Sequence, residues 1–345
     1  IRFFLRILIC LSEWSRNSVP HFYWNFDIGH HRNLAWAFWL ILLFVILIIQ
    51  FKRQKFILLG SIILLSFIFG IFGFSAGPQL QVWVLDVGQG LAISCVSDNR
   101  AICIDTGGII RTYGNTGSSI LLPFLKNMNI RHLDSIYLTH FHDDHTSGIK
   151  SLIDTYSIPA IYARTVIRIK KDLITSMIDN LTNSTHLYPY QIQIFPLFGS
   201  KINDQALVYR ITYQNFSCLV CGDIEGEGID QLLKYGSKNI QSDVIILPHH
   251  GAFSTNLDQL LLHVQPSLAI ISLGENSYGH PHQRTLELLS DLSIPYYRTD
   301  QHGAIGFHLY QKNWRVVVNG KNDFSKMDNE SYLRTTTLFP YPTQR

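Results

Sequence analysis

The chain has 345 residues, 28 basic and 25 acidic side chains, and a formal charge of +3. That length leaves room for one large domain and something beside it, and so small a positive excess gives no argument for nucleic-acid binding by itself. Five scattered cysteines exclude a disulfide framework. The chain starts at Ile1 rather than Met, so it reads as a piece of a longer protein in which no signal peptide can be judged.

Residues 1–33 read as a membrane-proximal segment. Ile1 to Leu11 is apolar but interrupted by Arg2 and Arg6, which fits either the end of an upstream spanning helix or a helix lying in the interface. Leu34 to Ile49 is then continuously apolar, and after a break at Gln50 to Lys55 a second apolar run covers Phe56 to Phe74. Each run approaches the ~20 residues that cross a hydrocarbon core, and neither contains a charge. Gly60, Gly70 and Gly73 suit close packing of helices, and Trp24, Trp36 and Trp39 suit an interface. Residues 34–77 are therefore expected as two transmembrane helices. Lys52, Arg53 and Lys55 place the connecting loop in the cytoplasm by the positive-inside rule, and everything after Gly77 on the far side.

From Gln81 the pattern turns to short alternating strands: Val82 to Val87, Leu91 to Val96 and Ala101 to Asp105. Asp105-Thr106-Gly107-Gly108 closes the third, where the aspartate either hydrogen-bonds a metal-bound histidine or simply turns the chain. A helix is expected over Ser118 to Met128 and a strand over Ser135 to Leu138. That strand runs into Thr139-His140-Phe141-His142-Asp143-Asp144-His145, the densest run of metal-capable side chains in the sequence. Imidazole and carboxylate in this mixture suit zinc, with manganese also possible. Strand geometry would hold His140 and His142 on one side, and a turn into a helix over Thr146 to Asp154 would let Asp144 and His145 face a second ion. After a strand at Ala160 to Ala163 comes a basic run on a helix, Arg164, Arg168, Lys170 and Lys171, read either as a solvated face or as a contact for a nucleic-acid backbone.

Leu207 to Tyr213 and Phe216 to Cys221 form a hairpin about Gln214-Asn215. Cys218 and Cys221 make a Cys-x-x-Cys, but on a strand their sulfurs point to opposite faces, which makes them packing residues and not a redox pair. Gly222-Asp223 ends the hairpin with a carboxylate able to bridge two ions, after a glycine that lets the backbone pass close. Helix and strand then alternate through Ile229 to Lys234, Val244 to Leu247, Leu257 to Val264, Leu268 to Ser272 and Thr285 to Leu292. Leu247-Pro248-His249-His250-Gly251 follows one strand; one histidine is expected to be a ligand and the other to support it or touch substrate. Tyr278-Gly279-His280-Pro281 is a further candidate, with an ordinary turn as the alternative. An α/β layered sandwich, sheets inside and helices outside, is expected over 79–312, followed by a polar tail over 313–345.

Asp86-Val87-Gly88-Gln89-Gly90, Asp105-Thr106-Gly107-Gly108, the His140 to His145 run, Gly222-Asp223-Ile224-Glu225, His249-His250-Gly251 and Tyr278-Gly279-His280-Pro281 occur in one order. Together they resemble the metallo-β-lactamase-like domain at the C-terminus of ComEC-type DNA-internalisation (competence) proteins. The resemblance implies an αββα metallo-β-lactamase-like sandwich preceded by a transmembrane helical hairpin. It further implies a multi-pass protein of the inner (cytoplasmic) membrane, its C-terminal domain extracytoplasmic, acting in DNA uptake during natural transformation. Its partners would be DNA, the lipid bilayer, an upstream channel and competence region, and other DNA-uptake proteins. One DNA strand would be transported and the complementary strand degraded.

Within that pattern His140 and His142 would hold the first of two divalent ions, zinc or manganese. Asp144, His145 and His250 would hold the second, with Asp223 bridging. Asp144 would also orient the nucleophile, and His249 and His280 would touch substrate or donate protons, so that Asp144, His249 and His280 are the expected catalytic side chains. Two departures stand out. Leu91 occupies a position where the family usually has Asp, and the third histidine of the first site in hydrolytic relatives is replaced by Asn203-Asp204-Gln205-Ala206. The alternatives are therefore a catalytically weak module that binds metal and DNA, or a small-molecule metallo-hydrolase of the same superfamily, such as a phosphorylcholine esterase or a lactamase. The transmembrane pair argues against the last.

Overall fold

Valine, isoleucine and aromatic residues at alternate positions suit a pleated, half-buried surface. They build the first three strands, Leu80–Val84 (β1), Ile93–Ser97 (β2) and Arg100–Ile104 (β3). The computed structural model describes residues 78–110, 114–164, 176–177, 185–187, 189–236, 239–311, 313–319 and 337–340. The expected spanning runs at Leu34 to Ile49 and Phe56 to Phe74, the segment 1–33, and Arg168, Lys170 and Lys171 lie outside the described residues. Among the described residues no helix is long and apolar enough to cross a membrane.

The strands continue as Ile109–Ile110 (β4), Gly114–Asn115 (β5), His132–Tyr137 (β6), Ala160–Ala163 (β7), Ser176–Met177 (β8), Thr185–Leu187 (β9), Tyr190–Pro196 (β10) and Leu207–Tyr213 (β11). Phe216–Val220 (β12), Val244–Ile246 (β13), Leu268–Ile271 (β14), Tyr296–Arg298 (β15), Ala304–Leu309 (β16), Asn313–Asn319 (β17) and Thr337–Pro340 (β18) complete the set. Two mixed sheets result, ordered β18-β17-β16-β1-β2-β3-β6-β7-β8 and β15-β14-β13-β12-β11-β10-β9, with β4 and β5 pairing as a separate two-stranded ribbon. The first turns parallel from β3 to β8 and the second from β12 to β15.

Period two decides which side chain faces which layer. Val82, Val84, Ile102 and Ile104 of the first sheet meet Tyr209, Ile211, Val220 and Ile246 of the second in the core between the sheets. On the other face of the first sheet, Trp83, Ala101 and Cys103 pack with Leu121, Phe124 and Leu125 of the helical stretch 117–127 and with Ile149 and Leu152 of the helix Ile149–Thr155. Val208, Leu219 and Ile245 of the second sheet pack outward on Ile229 and Leu232 of the helix Gly226–Gly236 and on Leu260 and Leu261 of the helix Leu257–Val264. The order of layers is helix, sheet, sheet, helix. Each large aliphatic side chain buried in these layers contributes roughly 1.5–3 kcal/mol. Cys218 faces the inter-sheet core and Cys221 the helix-covered face; both are buried free thiols, and burial pushes both upward in pKa.

One boundary differs from expectation. Asn313–Asn319, expected to open a polar tail, is β17: it pairs antiparallel with β16 and puts Trp314 into the inter-sheet core. A strand of seven residues is diluted when composition is averaged over the polar stretch around it.

Candidate metal centre

β6 ends at Tyr137, so His140 and His142 lie on the loop beyond it and not on a strand as expected. Their juxtaposition comes from an anchor and not from strand alternation. Thr139 donates its backbone N–H to Asp105 Oδ1 at 2.8 Å and its hydroxyl to Asp105 Oδ2 at 2.7 Å, which fixes the loop against the end of β3. His140 Nε2 then lies 3.0 Å from His142 Nδ1. A one-turn helix, Asp143–Thr146, starts beside His142 and presents Asp144 and His145. Asp223 arrives on the turn after β12, and His250 on the turn after β13. All these turns leave the ends of neighbouring strands at one rim of the sandwich, the place where a layered α/β fold collects its ligands. Gly222 makes the approach possible: its φ is +58°, and a Cβ there would lie 2.9 Å from Thr139 Cβ.

Two donor sets share Asp223. Asp144, His145, Asp223 and His250 form one; His140, His142 and Asp223 form the other, with the donor atoms of each set within 4.8 Å of one another. His145 Nε2 is 3.2 Å from Asp223 Oδ1, while His140 Nε2 and His250 Nε2 are 3.8 and 3.7 Å from Oδ2. His250 Nε2 is also 3.3 Å from Asp144 Oδ2. Behind the site, each of these three rings ties its Nδ1 to an oxygen: His145 to Asp105 Oδ2 at 2.7 Å, His250 to the Ser272 carbonyl at 2.7 Å, and His140 to the Thr139 hydroxyl at 3.0 Å. That leaves Nε2 as the exchangeable nitrogen facing inward, the arrangement that outer hydrogen bonds impose on metal-binding histidines. Nε2 of His145 and of His250 are buried and make no hydrogen bond. Buried nitrogens that face carboxylates at 3.2 and 3.3 Å without a well-aligned hydrogen bond call for an explanation, and a cation between them and the carboxylates provides one. The donor set therefore fits divalent ions.

The electrostatics agree. Burial alone would lower His145, but the carboxylates of Asp223 and Asp105 hold it well above the ordinary imidazole range. Burial would likewise raise Asp223, yet His145 and His250 hold it well below the usual carboxylate range. His250 is raised by Asp223 and Asp144 against its burial, and Asp144 is lowered by His250 against its own. Burial, with His145 beside it, pushes His140 down to about 3. Protons at the raised positions would be released on metal binding.

His249 stands outside both donor sets, yet its Nε2 is 3.9 Å from Asp223 Oδ2 and its Nδ1 3.1 Å from Glu225 Oε1. His280 is further out, its ring 5.5 Å from that of His249, and its pKa is lowered by burial and by His249. Asp105 hydrogen-bonds His145 and, at a φ of +53°, also turns the chain. Arg164 is committed to the scaffold: its guanidinium donates to the carbonyls of Leu197 and Gln205 and lies 4.8 Å over the Phe198 ring. Sequence reasoning missed Ser272, whose carbonyl orients His250 and whose hydroxyl donates to the Gly90 carbonyl at 2.8 Å. A carbonyl acceptor carries no side-chain signature. Glu225 was also missed, although it sits two residues after Asp223 in a motif already singled out.

Residues 85–197 match the metallo-beta-lactamase superfamily. The chain is 28% identical over 256 residues to ComE operon protein 3 of Bacillus subtilis, an alignment covering 66% of this chain and 33% of that protein. It is 29% identical over 245 residues to Competence protein ComA of Neisseria gonorrhoeae, covering 67% of this chain and 32% of that one. Recombination protein 2 of Haemophilus influenzae is 28% identical over 260 residues, covering 74% and 32%. The chain thus spans about a third of the length of these curated relatives. A motif order, a layered fold and a buried His/Asp centre agree with these alignments: over about two thirds of its length the chain is a relative of ComE operon protein 3, Competence protein ComA and Recombination protein 2, and its residues 85–197 match the metallo-beta-lactamase superfamily.

Proposed function

We propose that this chain is the metal-dependent hydrolase portion of a DNA-uptake protein, a phosphodiesterase that degrades one strand of incoming DNA while the other is carried inward. The observation that carries this reading is the convergence of three inward-facing imidazole nitrogens, from His140, His145 and His250, on the single carboxylate of Asp223. In this reading His140 and His142 hold one ion, Asp144, His145 and His250 the other, and Asp223 bridges. Bound zinc or manganese would supply Lewis acidity toward a water and toward the phosphate oxygens. The chain's own residues do the rest. Asp105, Thr139 and Ser272 keep the imidazoles in the binding tautomer. Asp144, its side chain 33% exposed at the open edge, orients the attacking water. His280, at the rim, contacts substrate or donates to the leaving oxygen. The apolar runs at Leu34 to Ile49 and Phe56 to Phe74 anchor the domain outside the cytoplasmic membrane, beside a channel contributed by further chain and other DNA-uptake proteins.

The test is cleavage of single-stranded and duplex DNA by the full chain supplied with manganese or zinc. Cleavage lost in His142→Ala and Asp223→Ala supports the reading; no cleavage with bound metal verified overturns the nuclease. One observation favours a second reading, a module that binds metal and DNA without turnover: the stretch Asn203-Asp204-Gln205-Ala206 offers no third histidine. DNA retention without cleavage, unchanged by His142→Ala, is its signature.

A further inference from the structure

The rim of the centre carries an organised turn that the metal reading does not use. Asn276 builds it. Its Oδ1 accepts the backbone N–H of Tyr278 at 3.1 Å and of His280 at 3.0 Å, and its Nδ2 donates to the carbonyls of Gly274 and His280, both at 2.9 Å. The His282 N–H donates to the Gly251 carbonyl at 3.0 Å, which fastens the turn to the loop that delivers His250. Gly279 takes a φ of +75°, a left-handed value open to glycine at no steric cost. What this rigid support presents to solvent is Tyr278, 72% exposed.

Three rings lead outward from the metal centre to that position. His249 Nε2 lies 3.9 Å from Asp223 Oδ2, and the His280 ring is 5.5 Å from the His249 ring. The Tyr278 ring is 5.9 Å from the His280 ring at an interplanar angle of 22°. Tyr278 is thus backed by a near-parallel imidazole, within the range of offset stacking. Phe198, Tyr235 and Phe253, also exposed, are covered differently: each carries a cation over the ring, from Arg164, Lys234 and Arg284. Beside Tyr278 the surface is open, since a Cβ built at Gly279 meets no atom within 4 Å. A π face held still, backed on one side and clear beside it, suits another flat ring, and a nucleobase is the flat ring that a phosphodiester strand brings. Resting on the nuclease reading above, we propose that Tyr278, backed by His280, is a stacking platform for a nucleobase flanking the phosphate at the metal centre. In a duplex the faces of each base are covered by its neighbours, so the platform accepts a strand whose bases are unpaired and splayed out. Tyr278 sets which form of nucleic acid is held; the chemistry stays with the metal centre.

Fluorescence-anisotropy titration of the metal-loaded full chain tests this with three cleavage-resistant phosphorothioate probes: a single strand of thymidylate, an abasic strand of the same length, and the thymidylate strand annealed to its complement. Tyr278→Ala is expected to weaken the single strand about tenfold relative to both other probes, the loss of one base–aromatic stack. Tyr278→Phe keeps the ring and is expected to keep the wild-type preference. Metal content equal to that of the wild type reports that each variant is folded; if Tyr278→Ala loses its metal, Tyr278→Ser decides. Affinities in the variant that fall alike for all three probes, or for none, overturn the platform alone. Selective single-strand binding without cleavage of the unmodified strand supports the platform and overturns the nuclease. A wild-type chain that takes up metal but binds none of the probes overturns the nuclease reading and the platform with it.

Discussion

Asp105 joins two loops and one imidazole through a single carboxylate. It accepts from Thr139 through both oxygens and holds His145 Nδ1 at 2.7 Å, all fully buried. Asp105→Ala is expected to weaken the ion held by His145 about 10–100-fold, the usual cost of losing such an outer partner, measured by chelator competition. At Gly222 a methyl group meets Thr139 and the left-handed backbone at once. Gly222→Ala is expected to destabilise the fold by about 2 kcal/mol in urea denaturation, from backbone strain and overpacking together. At this scale the candidate donor cluster was legible because imidazole and carboxylate at such density have few other uses. Glu225 and Ser272 were not, because their role is fixed by where two distant turns meet.

Strands and helices were legible wherever packing follows periodicity. Ala160–Ala163 and Leu257–Val264 form as the sequence predicts, and the hairpin β11–β12 turns at Gln214-Asn215. The failure came where an element ends. Extended loop and strand share the same residue preferences, so nothing local distinguishes His140 and His142 on a loop from the same pair on a strand; the anchor at Asp105 decides it. β16 carries a pH-dependent liability. His308, packed 5.5 Å from the Trp83 ring with its Nε2 buried and unbonded, is pushed down to about 4 by burial and by Arg315 opposite it. Between the ordinary imidazole value and about 4, the unfolded chain takes up a proton that the folded chain refuses, so stability falls as pH is lowered through that window and levels off below it. The loss is on the order of 3 kcal/mol. His308→Leu is expected to remove that component, read as the difference between the urea midpoints of the two proteins from pH 7 to pH 4.

The domain from Pro78 onward depends on the core between two mixed sheets, and β17 shows how far along the chain that core reaches. Trp314 is 1% exposed and lies 5.4 Å from Phe216 and 5.9 Å from Phe307, touching strands of both sheets. Trp314→Ala is expected to cost about 3–5 kcal/mol in chemical denaturation. The layered class was legible from alternating strands and helices; the last strands were hidden in polar surroundings. The metal centre is the central claim at this scale, since three turns from distant parts of the chain must meet at Asp223. Its most direct test is the metal content of the full chain, dialysed against buffered zinc or manganese, beside that of Asp223→Ala. Two ions per wild-type chain and fewer than one in the variant are expected; an empty wild type, or a variant that retains both ions, would contradict it.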